Sequence, residues 1–307
     1  MSFTKSTLGL AAAAAAATLW AISGVFGKVL MTSVVSPSQL VFYRSAIGSA
    51  LLALALLLKN RNLLKVASRD FPFLIALGVL GLALTQFFYY GSIQVMNVGL
   101  AILLQYLAPL WILLFERFQL KRPLTYSKIL AVFLALSGCF LVSLPAVGSA
   151  HINVRGVSFG IAAGICLAAY ALMSQKALRI YSPTTVLVYA LLFSALFWGL
   201  LTPGSKFPWR IMTHFQFGLI LYVAVLGTLV PFLLFIFALK HLEASQAAII
   251  TTLEPVAAAV IAWIHLGERL TSLQVVGGVF VLIAIVVLQV RSVKTPPDGS
   301  EIAPQPV

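Results

Sequence analysis

The chain has 307 residues, 61% of them hydrophobic and only 9% charged, with a mean hydropathy of +1.06. Soluble domains carry roughly a quarter charged residues, so this composition excludes an ordinary soluble protein and points to a membrane protein. The net charge of +13 does not mark a nucleic-acid binder, because the basic residues are scattered through short links rather than clustered on a polar domain.

A bilayer core is crossed by about 20 apolar residues in a helix. Ten such runs are predicted, near 8–30, 38–58, 71–93, 97–117, 125–144, 156–175, 183–202, 216–239, 244–265 and 271–290. The first opens on AAAAAAATLWAISG behind Lys5, a pattern close to a signal peptide, but its apolar run exceeds the roughly 7–15 residues of a signal core. Cys139 and Cys166 fall in spans 5 and 6 and read as small packing residues, since two thiols make no disulfide framework. The tail, 292–307, contains TPPDGSEIAPQPV and is predicted to be disordered.

Orientation follows from charge. With a cytoplasmic N-terminus, the inner segments hold fourteen basic residues, against Lys28, Arg155, Lys206, Arg210 and Arg269 outside. The positive-inside rule then places both termini in the cytoplasm, in a bacterial inner membrane.

The sequence repeats. At an offset of 146, SPSQLVFY (36–43) falls on SPTTVLVY (182–189), VLG (79–81) on VLG (225–227), and Pro109 on Pro255. Gly9, Ala13, Ala17 and Ala21 of span 1 correspond to Gly156, Gly160, Gly164 and Ala168 of span 6, a spacing of small residues that predicts a tightly packed face on each. Residues 1–150 and 151–291 are therefore two five-helix repeats. Five is odd, so the second half enters the membrane from the opposite side. The expected fold is an all-α integral membrane protein of ten transmembrane helices in two inverted repeats, an architecture suited to alternating access with the substrate site near the midplane.

Glu254 lies about 15 Å into span 9, where an acid costs on the order of 2.5–3.5 kcal/mol to insert. Such residues line substrate or proton pathways, or form buried ion pairs. Arg44 lies about 9 Å into span 2, within reach of snorkelling to the surface. Its counterpart is Ala190, and that of Glu254 is Ala108, so one half supplies the cation and the other the anion. This asymmetry fits a charge pair across the repeat interface or a zwitterion held between them.

Pro109, Pro231 and Pro255 lack the N–H that would bond four residues back, so they break or kink spans 4, 8 and 9 and free the carbonyls of Gln105, Gly227 and Thr251. Trp20, Gln86, Tyr89, Tyr90, Gln105, Tyr106, Tyr170, Ser174, Thr228, Thr251 and Thr252 lie at comparable depth and predict a partly polar, aromatic cavity for an amphipathic small molecule. The substrate-binding set is Trp20, Arg44, Tyr90, Gln105, Tyr106, Tyr170, Thr251 and Glu254. No metal or cofactor is expected: the histidines lack ligand spacing, IHLGE (264–268) is not HExxH, and no GxSxG occurs.

The segment LEPVAAAVIAWIHLGERLTSLQVVGGVFVLIAIVVL (253–288) resembles the closing segment of EamA-type transporters of the drug/metabolite transporter superfamily. FYRSAIG (42–48) is similar to that family's second helix, and YYGSIQVMNVGLAILLQYLAPLW (89–111) to its third and fourth. The resemblance implies ten helices in two inverted repeats, a central cavity, and movement of small metabolites, amino acids or drugs. Its motif residues here are Arg44, Pro109, Glu254, Pro255, Gly267 and Glu268. KRPLT (121–125) stands in the first half where the family has Gly-Glu-Arg-Leu-Thr, which leaves Glu268 without a twin as a loop or cap residue.

The expected function is a secondary exporter or facilitator of small amphipathic metabolites, amino acids among them, with a small molecule and lipid as partners and no nucleic acid. The sequence sets no oligomeric state, and a monomer is compatible with it. The alternatives are a proton-coupled multidrug efflux transporter, a membrane enzyme, for which no catalytic constellation is visible, and a sensor or structural membrane protein, which would need an output domain not legible here.

Overall fold

The computed structural model describes residues 2–33, 35–148, 153–202, 213–266 and 270–292. The tail from 293, residues 267–269 with Gly267 and Glu268, and the basic residues Lys206 and Arg210 lie outside them. The described residues are helical, with no strand among them. In chain order the helices are α1 Ser2–Ser33, α2 Pro37–Asn60, α3 Phe71–Ala76, α4 Leu84–Val95, α5 Val98–Gln105, α6 Ala108–Phe118, α7 Tyr126–Gly148, α8 Val154–Ala177, α9 Pro183–Leu201, α10 His214–Ala224, α11 Val230–Leu239, α12 Ala244–Thr251, α13 Leu253–Leu266 and α14 Ser272–Ser292. Nine described stretches are long and apolar enough to cross a membrane; the apolar part of α14, Ser272–Leu288, is shorter.

The repeated SPxx motif is a helix start. Ser36 accepts from the Gln39 N–H and Ser182 from the Thr185 N–H, with Pro37 and Pro183 opening α2 and α9. A serine cap satisfies an orphan backbone donor, and proline at the first helical position loses nothing. The repeated VLG motif is a π-helical turn: Leu77–Ala83 joins α3 to α4, and Val225–Leu229 joins α10 to α11. The irregularity of span 8 thus has a partner in span 3, although only span 8 carries a proline there.

Packing maps onto itself when the halves are exchanged. The matching helices α2 and α9 lie together, as do α7 and α14, while α4 packs on α8 as α11 packs on α1. Matching spans are five crossings apart and so run antiparallel. Close approach is set by glycine where backbones touch: a Cβ on Gly138 would stand 2.6 Å from the Gly277 carbonyl, and one on Gly277 2.7 Å from the Gly138 carbonyl. The small-residue faces are buried as expected. Gly9 meets Leu242 and His241, and Gly160 meets Leu104.

Large apolar side chains cover the outside, Leu58, Phe133, Leu200 and Val286 among them, whereas Arg44, Gln86, Glu116 and Glu254 are buried. This distribution matches a lipid-facing exterior.

The ends of the spans that share a side with the N-terminus are tied by polar contacts between the halves. Tyr181 donates to Asp70, Thr185 to the Leu63 carbonyl and Tyr189 to the Leu64 carbonyl. Lys128 of α7 bridges Glu116 of the first half, at 3.4 Å, and Glu243 of the second, at 2.5 Å. Glu116 is only 1% exposed, so Lys128→Met would strand a buried carboxylate. That change should cost about 3 kcal/mol, read as a lower melting temperature of detergent-solubilised protein and partly restored by adding Glu116→Gln. A melting temperature unchanged in Lys128→Met would show that the bridge contributes nothing.

Candidate functional site

A cavity in the bundle is lined by Trp20, Ser23 and Gly24 of α1, Arg44 of α2, Thr85, Gln86, Tyr89 and Tyr90 of α4, Gln105, Leu167, Phe232 and Glu254. Five of the eight expected substrate-binding residues meet there: Trp20, Arg44, Tyr90, Gln105 and Glu254. Both halves contribute.

Arg44 is buried rather than snorkelling. Its Nε donates to Thr228 Oγ1 at 2.5 Å, Nη2 to the Gly227 carbonyl at 2.6 Å, and Nη1 to the Tyr90 hydroxyl. Pro231 explains one of these acceptors. It has no N–H to bond the carbonyl four residues back, so Gly227 offers that oxygen to the guanidinium. Thr228 is held in turn by donating to the Val223 carbonyl at 2.7 Å, across the π-turn. The Tyr90 ring also sits 5.1 Å from the guanidinium carbon, within cation–π range. A guanidinium has five N–H groups, so these three bonds leave two for the cavity.

Glu254 sits where span 9 breaks. Helix α12 ends at Thr251 and α13 begins at Leu253, with Glu254 and Pro255 in its first turn. Span 4 breaks at the matching place, α5 ending at Gln105 and α6 carrying Pro109 in its first turn. Tyr106, in the first break, donates its hydroxyl to Glu254 Oε2 at 2.6 Å, joining the two broken helices. The Cys139 thiol points at the Thr252 carbonyl at 3.7 Å, so this cysteine serves the second break as well as packing.

The other expected residues have different surroundings. Tyr106 is buried behind Glu254 and acts on the cavity through that bond. Tyr170 is buried with its ring against Gly81 of the first π-turn and stacked on Phe235. Thr251 donates to the Ala248 carbonyl of its own helix. The carbonyls of Leu104 and Gln105 face Gly164, where a Cβ would stand 3.1 and 3.0 Å away. The broken backbone of span 4 thus packs on α8, and Gln105 meets the cavity by its side chain. Among the described residues the ion pairs are Arg69–Asp70, Lys128–Glu116 and Lys128–Glu243, so Arg44 and Glu254 share a cavity without pairing.

Sequence reading singled out Gln86 and Tyr89 by depth but not as binding residues, and it passed over Ser23. Gly24 and Gly27 were the available signal. A Cβ on Gly24 would lie 2.7 Å from the Tyr89 hydroxyl, and one on Gly27 2.3 Å from the Tyr90 ring, so the GVFG stretch makes room for both tyrosines.

Broken membrane helices around buried charges, in two halves related by exchange, define a transporter class. The profile of the EamA-like transporter family matches residues 7–144 and again 154–290, and the chain belongs to that family. Its relatives are transporters, which sets the enzyme alternative aside. The chain is 32% identical over 193 residues to the threonine/homoserine exporter RhtA of Salmonella typhimurium, a match covering 62% of each chain. It thus spans less than two thirds of that relative's length. It is 29% identical over 221 residues to an uncharacterized transporter of Archaeoglobus fulgidus, covering 68% of this chain and 75% of the other. A solved crystal structure superposes with a TM-score of 0.74 at 18% identity, covering 95% of this chain and 99% of that one, which shows the shared fold.

Proposed function

We propose that this chain is a secondary transporter that moves small amino acids across the plasma membrane by alternating access, exporting them or letting them equilibrate. The observation that supports this most directly is the pair of opposite charges, one from each half, lining one cavity without touching each other. The two N–H groups of Arg44 not used by the protein suit an α-carboxylate, and Glu254 suits an α-ammonium. The relatives named as threonine/homoserine exporters support the same substrate class and an outward direction. The fourteen-to-five distribution of basic residues supports cytoplasmic termini in a bacterial inner membrane.

Counterflow in proteoliposomes tests the reading. Labelled threonine and homoserine should exchange, whereas propylamine and propionate, each with one of the two charges, should not compete. Equal competition by either single-charge analogue would sink the zwitterion site. For orientation, a cysteine at Asn62 in a cysteine-free variant should resist a membrane-impermeant thiol reagent in intact cells; labelling there would reverse the topology.

A further inference from the structure

We infer that Gln86, Tyr89 and Ser23 form a side-chain subsite that selects amino acids with a short hydroxyl or carboxamide side chain over apolar isosteres. This rests on the zwitterion reading above and extends it to the part of the substrate that the two charges leave over.

The basis is a set of buried polar atoms with no protein partner. Both Nε2 and Oε1 of Gln86 are in this state, as are the Tyr89 hydroxyl and Ser23 Oγ, and all three residues line the cavity that holds Arg44 and Glu254. Native proteins pair nearly all buried polar groups, and those that lack partners are costly. Among the described residues lining the cavity, Trp20 Nε1 and Gln105 Oε1 are unpartnered too; the three residues named here lie on two neighbouring helices, Gln86 and Tyr89 one turn apart on α4 and Ser23 on α1.

Their hydrogen bonding also distinguishes these groups from the charge-binding ones. Tyr90, next to Tyr89, is committed to Arg44, whereas the Tyr89 hydroxyl makes no such bond and lines the same cavity as Arg44 and Glu254. Its hydroxyl lies over Gly24, which leaves it room. Ser23 Oγ rests on Gly227, whose carbonyl Arg44 has already taken. Leu167 and Phe232 supply apolar walls, so the polar atoms are local and directional.

The chemistry of the ligand follows from the inventory. A glutamine amide presents one acceptor and two donors, and a tyrosine or serine hydroxyl can do either. A hydroxyl or carboxamide on the substrate answers such a set because it, too, donates and accepts. A methyl group in the same place leaves donors and acceptors unpaired, and sites built on hydrogen bonds reject analogues that lack them far more strongly than apolar pockets reject an added hydroxyl.

Threonine and valine differ by a hydroxyl for a methyl at nearly constant volume, which makes them the probes. In proteoliposomes the parent should exchange threonine at least tenfold faster than valine at equal low concentration, with asparagine on the threonine side. Gln86→Leu should raise the valine-to-threonine flux ratio at least tenfold, and Tyr89→Phe, which removes a single oxygen, about threefold in the same direction. If the parent moves threonine and valine alike, the polar atoms are served by water and the subsite is refuted while the zwitterion reading stands. If it moves neither, both fall. If both variants leave the ratio at its parental value, selectivity is set elsewhere and these residues are wrongly assigned. The comparison within the parent needs no variant to fold.

Discussion

Glu254→Gln should cut amino-acid flux by about 100-fold while the protein still inserts and folds. The carboxylate is buried where span 9 breaks, lines the cavity, and is held by one bond, from Tyr106 at 2.6 Å. Glutamine keeps the shape and can still accept from Tyr106, so the break itself should survive. What disappears is the charge facing an ammonium. A hydrogen bond to a charged group contributes about 1.5–3 kcal/mol, and 1.4 kcal/mol is tenfold in an equilibrium, which sets the expected size. Tyr106→Phe frees the carboxylate without removing it and should lower flux by a smaller factor, about fivefold. An imposed pH difference distinguishes two roles for the acid. If Glu254 acts only electrostatically, parental flux is indifferent to the gradient; if it carries a proton, the gradient drives flux in the parent and not in Glu254→Gln. Normal transport by Glu254→Gln would refute both roles and leave the acid to packing.

Arg44→Lys should be nearly as damaging, again about 100-fold, although it keeps the charge. The guanidinium spans three acceptors at once, Thr228, the Gly227 carbonyl and Tyr90, and still has two N–H groups for a carboxylate. A lysine ammonium has three donors on a flexible stem and no fork, so satisfying these three acceptors leaves nothing directed at the cavity. The affinity for the carboxylate end should therefore fall, seen as a higher half-saturating concentration in counterflow, and the π-turn should loosen, seen as a lower melting temperature. A variant that loses thermal stability yet keeps parental affinity would make Arg44 a brace between the halves and not a substrate ligand.

These two residues illustrate how much of the site a linear reading reaches. Glu254 and Arg44 stand out because an ionisable residue deep in an apolar run is costly and needs a reason. Pro231 is equally legible as a helix breaker, but only the fold shows that the carbonyl it frees, at Gly227, is taken by Arg44, 183 residues earlier in the chain. The expectation for Gln105 was of the same kind and had another outcome: its carbonyl packs on Gly164. Both prolines free an oxygen; which neighbour covers it depends on helices far away in sequence. Tyr170, singled out by depth, and Thr251, singled out by depth and by Pro255, are not among the residues lining the cavity, because depth is one coordinate and the angle around the helix axis is set by packing.

What the sequence by itself determined is the membrane setting, the repeat, and the breaks before Pro109 and Pro255. All of these are local or periodic: an apolar run long enough to span lipid, a motif that recurs at a fixed offset, a proline without its N–H. The tertiary structure alone decided that VLG is a π-turn in both halves, that Tyr106 joins the two breaks, that Lys128 bridges Glu116 to Glu243, and that Arg44 and Glu254 share a cavity without pairing. Each of these depends on side chains tens to hundreds of residues apart whose distance is set by how the two halves interlock. A hydrogen bond acts over about 3 Å, and no pattern along a single chain can fix an approach that close between distant segments.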